Sequence, residues 1–179
     1  TDRLKRLAED VSLVSSAEEH RLSMEPQAVS VAELVSLAQG QARSFYAARD
    51  VDLQIEEEAG DAMVVGDRDR LSQVLTNLLD NALRHTQPGD QVTLRTGSDS
   101  ATVLLSVEDT GHGVAPEHLP HLFERFYRVD TARDRAHGGS GIGLTIVRSI
   151  VEAHGGNVRA ESRGPGHGAL FTVELPRRN

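Results

Sequence analysis

Asn77, Asn81, Arg84 and His85 recur at i, i+4, i+7 and i+8, a spacing that sets all four on one face of a helix. Leu71, Val74, Leu75, Leu78 and Leu79 fill a separate apolar stripe of the same run, suited to a core. An amide oxygen can ligate a divalent cation without adding negative charge beside a polyphosphate, and an arginine can neutralise phosphate oxygens. Taken alone, a solvated helix face presents the same stripe. A second group, Asp109-Thr110-Gly111-His112-Gly113, follows directly on a strand-like run. Its aspartate could accept a hydrogen bond from an exocyclic amine, and its glycines let backbone approach a flat ring closely. By itself this is also an ordinary Asp-x-Gly turn. A third group, Gly138-Gly139-Ser140-Gly141-Ile142-Gly143-Leu144-Thr145, opens a helical pattern, where successive N–H groups and the positive end of the helix dipole suit a phosphate. No lysine follows these glycines as a P-loop requires, and Ile146 stands where a dinucleotide fingerprint starting at Gly141 needs its last small residue.

The elements that must hold these groups are readable in outline. Leu4, Leu7, Val11 and Val14 form the apolar seam of a bundle helix, or of a helix lying on its own domain. The polar stretch 15–29, with Pro26, reads as a hinge. Ser30 and Glu33 make a capping box before an amphipathic helix with Val31, Leu34, Val35, Leu37 and Ala38. Val51, Leu53 and Ile55 alternate as a strand, residues 63–65 form a short one, and Asp67 caps the helix that runs to about His85. Strands 91–96 and 102–108, joined by Gly97-Ser98-Asp99-Ser100, read as an antiparallel hairpin. Residues 109–140 form a long loop with room for short helical turns only, and loops of that length commonly serve binding. A helix over 141–154, ended by Gly155-Gly156, and strands at 158–162 and 169–175 complete the chain. The pattern predicts an α/β two-layer sandwich, a mixed and mostly antiparallel sheet covered by helices on one face, with an N-terminal bundle helix.

The chain's 179 residues and 38% hydrophobic content suffice for one domain with a core and a helical appendage. The sequence has no run long enough to span a membrane and no signal-peptide pattern. The absence of cysteine excludes disulfides and thiolate metal sites, and fits a reducing compartment. A formal charge of −8 argues against coating nucleic acid.

Residues 77–86 resemble the asparagine box of sensor histidine kinase catalytic domains, within the ATPase superfamily that includes gyrase, chaperone and mismatch-repair proteins. Asp109-Thr110-Gly111-His112-Gly113 resembles the family's first glycine box, and Phe123-Glu124-Arg125-Phe126-Tyr127-Arg128 its phenylalanine box. Gly139-Ser140-Gly141-Ile142-Gly143-Leu144 resembles the second glycine box, and Gly168-Ala169-Leu170-Phe171 a later glycine-containing strand. The match runs from about Val31 to the end, and residues 1–25 resemble the second helix of the dimerisation hairpin, leaving 26–179 as the catalytic domain. The resemblance implies ATP and Mg²⁺ as ligands, with Asn81 on the metal and Asn77 beside the phosphates or metal. It implies that Asp109 reads adenine, with Gly111 and Gly113 beside it. Arg84 stands where lysine is common and would touch phosphate; His85 stands where tyrosine is common and would lie along the base. Arg125 and Arg128 would approach the terminal phosphate or the substrate helix, and residues 129–139 would form a lid. Gly139, Ser140, Gly141, Ile142, Gly143, Leu144 and Thr145 would hold the phosphates.

The resemblance also implies phosphoryl transfer to a histidine on the dimerisation helices, a response regulator as downstream partner, and a homodimer at full length, the fragment being monomeric. It implies a cytoplasmic domain of a protein anchored in the bacterial plasma membrane. Of the eight histidines only His20 invites comparison with the acceptor, but Arg21 follows it and Pro26 comes one place late. His118 and His121 lack a matched ligand set and read as surface residues. Two rivals stand beside the kinase. One is an ATP-gated clamp, whose members carry a water-activating glutamate where this chain has Asn77; the other is a module that binds ATP or a partner without transfer.

Overall fold

The computed structural model describes residues 23–129 and 141–178, together with Ala8 and Ser12, both helical. The described elements run β1 (Gln27–Ser30), α1 (Val31–Ala48), β2 (Asp52–Glu57), β3 (Met63–Gly66), α2 (Arg68–Arg84), β4 (Gln91–Ser98), β5 (Thr102–Asp109), α3 (Gly143–Ala153), β6 (Asn157–Glu161) and β7 (Ala169–Pro176). A 3-10 turn at Leu119–His121 interrupts the stretch after β5. The seam residues Leu4, Leu7, Val11 and Val14, most of the expected hinge, His20, Gly139, Ser140 and nearly all of the expected lid lie outside the described residues.

Period-two alternation builds the main sheet. In β5, Val103, Leu105 and Val107 are buried while Leu104 and Glu108 face outward. The strand order is β2-β4-β5-β7-β6, and β2–β4 is the parallel pair among otherwise antiparallel neighbours. The uncovered face carries a ladder of exposed charges in which Arg95 meets Glu56 and Glu108, and Arg159 meets Glu174. Such exposed pairs add little stability, and they mark the face that water solvates. The other face takes the three helices, with α2 packed between α1 and α3. Leu71, Val74, Leu75, Leu78 and Leu79 are almost completely buried, as their spacing predicts. In α1, Val31, Leu34, Val35 and Ala38 are buried, but Leu37 turns to solvent.

Local chemistry fixes the helix starts. Ser30 Oγ accepts from Glu33 N at 3.4 Å, and Asp67 Oδ1 accepts from Asp69 N and Arg70 N. Asp67 N in turn donates to His154 Nε2 at 3.0 Å, while His154 Nδ1 donates to Ile150 O at 2.7 Å. These two partners set the imidazole tautomer and weld the end of α3 to the start of α2. The hinge expectation needs correction at its end, because residues 27–29 are not a linker. They form β1, which pairs antiparallel with β3 so that Val29 faces Val64. Arg177 bridges Val64 and Arg178 N donates to Met63 O at 2.8 Å, a second contact along β3.

Candidate functional site

The site forms where β5 ends and the starts or ends of two helices converge. Asp109, 5% exposed, closes β5, and its Oδ1 accepts from Gly111 N at 2.9 Å. Ala169, its register partner on the neighbouring strand, brings a second amide towards the carboxylate. Burial pushes the Asp109 pKa up to about 6 against the pull of those two amides, with Asp90 and Glu108 adding repulsion. A carboxylate has about four acceptor positions, so two amides leave capacity for an amine donor. Thr110 anchors the turn that follows: its N donates to Gln91 O, and its Oγ1 accepts from Gln91 N and donates to Asp90.

Backbone contacts bring the separate groups together. His112 N donates to His85 O at 3.0 Å, and the two imidazoles meet edge to face at 6.5 Å. A Cβ on Gly111 would lie 2.1 Å from that same carbonyl, so only glycine permits the approach. Asn77 Nδ2 donates to Gly143 O at 3.3 Å, which joins the asparagine stripe to the first turn of α3. α3 starts after Ile142, whose side chain has no group to cap a backbone amide, unlike the polar caps of α1 and α2. Its first amides are those a phosphate would meet. Phe126 N donates to Gly141 O at 3.0 Å and Thr145 Oγ1 to Phe123 O at 3.1 Å, tying the phenylalanine segment to the same helix start.

Among the described residues, contacts thus join His85 to the first glycine turn, Asn77 to the first turn of α3, and the phenylalanine segment to that same helix start. Asn77, Asn81, Arg84 and His85 are all half-buried along α2. Arg125 is exposed; Arg128 is half-buried, and its Cγ lies 3.4 Å from where a Gly141 Cβ would stand. Ile142 is buried and Leu144 packs on the core, so what either offers a ligand is backbone. The Thr145 hydroxyl is already engaged with Phe123. His118 and His121 brace the phenylalanine segment: His118 Nδ1 bonds Tyr127 Oη at 2.6 Å, and the His121 ring lies 5.2 Å from that of Tyr127. Among the described residues no cluster of three or more His, Cys, Asp or Glu could hold a metal ion. A cation here would rest on an amide oxygen such as that of Asn81 and on substrate phosphates, a donor set that suits Mg²⁺.

Sequence reasoning passed over two residues that shape the site. Tyr46, buried on α1, donates its hydroxyl to Leu79 O at 2.7 Å and so fastens α1 to the asparagine helix. Ser162 joins the first glycine turn to the loop at residues 162–168. The run Gly164-Pro165-Gly166-His167-Gly168 was the available signal, since clustered glycines mark close backbone approach.

Residues 66–179 match the family of histidine kinase-, DNA gyrase B- and HSP90-like ATPases. The signal transduction histidine-protein kinase BaeS of Escherichia coli (strain K12) is 41% identical over 174 residues, covering 97% of this chain and 37% of BaeS. The chain thus spans little more than a third of that relative's length. The mycobacterial sensor histidine kinase MprB superimposes with a TM-score of 0.75 at 30% identity, over 85% of this chain and 99% of that one. Full-length ShkA in complex with AMPPNP gives a TM-score of 0.87 at 27% identity, over 99% of this chain and 36% of that one. By motif, geometry and likeness together, the chain belongs to the histidine kinase-, DNA gyrase B- and HSP90-like ATPase family, as an ATPase domain of the sensor histidine kinase branch.

Proposed function

We propose that the chain binds ATP with Mg²⁺ and transfers the γ-phosphate to an imidazole nitrogen on a dimerisation helix, within a longer two-component kinase. The observation that carries this reading is the Asn77 Nδ2–Gly143 O bond, which sets the asparagine stripe of α2 against the first turn of α3. Base and phosphates would then sit on one surface, with Asp109 at the base end and the α3 amides at the phosphate end. Asp109 accepts the adenine amine, while His85 and Gly111 line the base. Gly141, Gly143 and the amides of Ile142, Leu144 and Thr145 receive phosphate oxygens, as would Gly139 and Ser140. Arg84, Arg125 and Arg128 neutralise charge that builds on the transferring group. Asn81 would hold Mg²⁺ through its amide oxygen, and the ion would offset the negative charge of the phosphates. Asn77 offers an amide where a hydrolytic clamp needs a carboxylate to activate water, which favours transfer over hydrolysis.

In this reading residues 1–25 are the second helix of the dimerisation hairpin and 26–179 the catalytic domain. The full-length protein is a homodimer anchored in the plasma membrane, with its catalytic part in the cytoplasm and a response regulator as its phosphate acceptor downstream. Among the described residues no helix is long and apolar enough to cross a membrane. The test is reconstitution. Alone, the chain should form no stable phosphohistidine; with a separate fragment carrying the complete hairpin it should transfer phosphate, giving an acid-labile, alkali-stable product. Asn81→Ala should suppress that transfer. Fast ATP hydrolysis by the lone chain with no transfer to the hairpin would refute the kinase reading.

A further inference from the structure

Ser162 follows β6, outside every group so far assigned to the ligand. Its single hydroxyl nonetheless meets four backbone groups within hydrogen-bonding distance, Gly164 O at 3.4 Å being the weaker of its two acceptors. Oγ accepts from Val114 N at 3.0 Å and from Gly164 N at 3.2 Å, and it donates to Gly168 O at 2.6 Å. Both lone pairs and the proton are thereby used. Val114 ends the first glycine turn, and Gly168 leads straight into Ala169, the residue that pairs with Asp109 across the sheet. The backbones joined in this way are in close contact. A Cβ on Gly113 would lie 2.2 Å from Gly164 O, and one on Gly168, where φ is +65°, would lie 1.8 Å from Asp109 O. Gly166 N to His112 O at 2.7 Å and Gly168 N to Gly111 O at 3.2 Å complete the seam.

The groups that flank the Asp109 carboxylate thus belong to two segments, the bonded amide of Gly111 in the turn and the paired residue Ala169 in β7, and Ser162 bonds both segments at once. We infer that Ser162 is a positioning residue for base recognition, holding the Gly111–Val114 turn and the start of β7 in register on either side of Asp109. It touches no ligand itself. Its hydroxyl sets where the carboxylate points, and so how well the site tells an amine-bearing purine from an oxo-bearing one. This inference rests on Asp109 being the base reader.

The test compares ATP and GTP binding to the full chain by calorimetry, with Mg²⁺, for Ser162→Ala, Ser162→Thr and Asp109→Asn. Ser162→Ala should lower the ATP-over-GTP preference by about threefold to tenfold, the worth of one hydrogen bond, chiefly by weakening ATP. Ser162→Thr retains the hydroxyl and should restore the preference, which a mere packing role would not predict. Should Ser162→Ala fail to fold, Ser162→Cys keeps the side-chain size with a far weaker hydrogen-bonding group, and the same loss of preference is expected. Equal loss for both nucleotides, or an unmoved preference in the alanine and cysteine variants, overturns the role of Ser162. If Asp109→Asn also leaves the preference unmoved, the base-reading site itself fails; if it moves the preference and the Ser162 variants do not, only Ser162 is displaced.

Discussion

Asp109→Asn should make the nucleotide-free protein more stable while weakening its binding of ATP. The Asp109 pKa rises from 3.8 to about 6 in the fold, principally because the carboxylate is buried. At about 1.4 kcal/mol per unit, the ionised side chain costs roughly 3 kcal/mol above pH 6. The sign follows from the proton count. Between pH 3.8 and about 6 the folded state holds a proton that the unfolded state has released, so this residue's contribution to stability falls as pH rises through that window. Asparagine removes the charge but offers one acceptor oxygen to the amides of Gly111 and Ala169, leaving one amide facing an NH₂ at a cost of about 1–2 kcal/mol. The net gain at pH 7.5 is about 1–2 kcal/mol, or roughly 2–8 °C in Tm for a domain of this size, shrinking towards pH 5. With ATP the balance reverses, because the NH₂ opposes the adenine amine, and affinity should drop by about 5- to 150-fold with GTP much less affected. Calorimetric melting at pH 5 and 7.5 and titration with both nucleotides measure each half. A variant that loses Tm equally at both pH values, or that keeps the wild-type ATP-over-GTP ratio, refutes the argument.

Three further substitutions probe the frame. Phe126 is 61% exposed and sits at φ +60°, so Phe126→Gly should relieve backbone strain at little loss of burial and raise Tm by about 1–4 °C in a melting scan. Tyr46→Phe removes the buried bond to Leu79 O and should lower stability by about 0.5–1.5 kcal/mol in urea titration, with an unchanged m-value. His154→Ala strips Asp67 N and Ile150 O of their shared partner; a loss of about 1–3 kcal/mol is expected by the same measurement, and none if water replaces the ring without cost.

Legibility in the sequence followed how local the determining physics is. The helix capped by Asp67 was readable because its leucine stripe and polar stripe lie within one 17-residue element and the two residues that cap it. The β4–β5 hairpin was readable for the same reason, from alternation around a short turn. Strand β1 was not, because Gln-Ala-Val-Ser has no alternation of its own and becomes a strand through pairing with β3 some 35 residues on, as Val29↔Val64 shows. At the site, the residue types were legible while their employment was not. Asn77 and Thr145 could be placed near phosphates, yet the structure commits one to Gly143 O and the other to Phe123 O, carbonyls 66 and 22 residues away. Ser162 itself gave no signal, and only the glycine run after it did, since its partners are backbone groups assembled by the fold.

Strand β3 is held on one edge by β1, where the described chain enters, and on the other by residues 177–178, where it leaves. Entry and exit are then separated by two strand spacings, about 10 Å, and by roughly as much along the strand. A linker of about six residues would close that gap, so the domain is a natural subject for circular permutation, reopened at the exposed Asp99-Ser100 turn between β4 and β5. The same placement has a mechanical side. Tension pulling the entry and exit segments apart would load β3, and β3 runs directly into Asp67, the cap of the helix that carries Asn77 and Asn81. Such tension would reach the helix at the centre of the site across a single residue, Asp67.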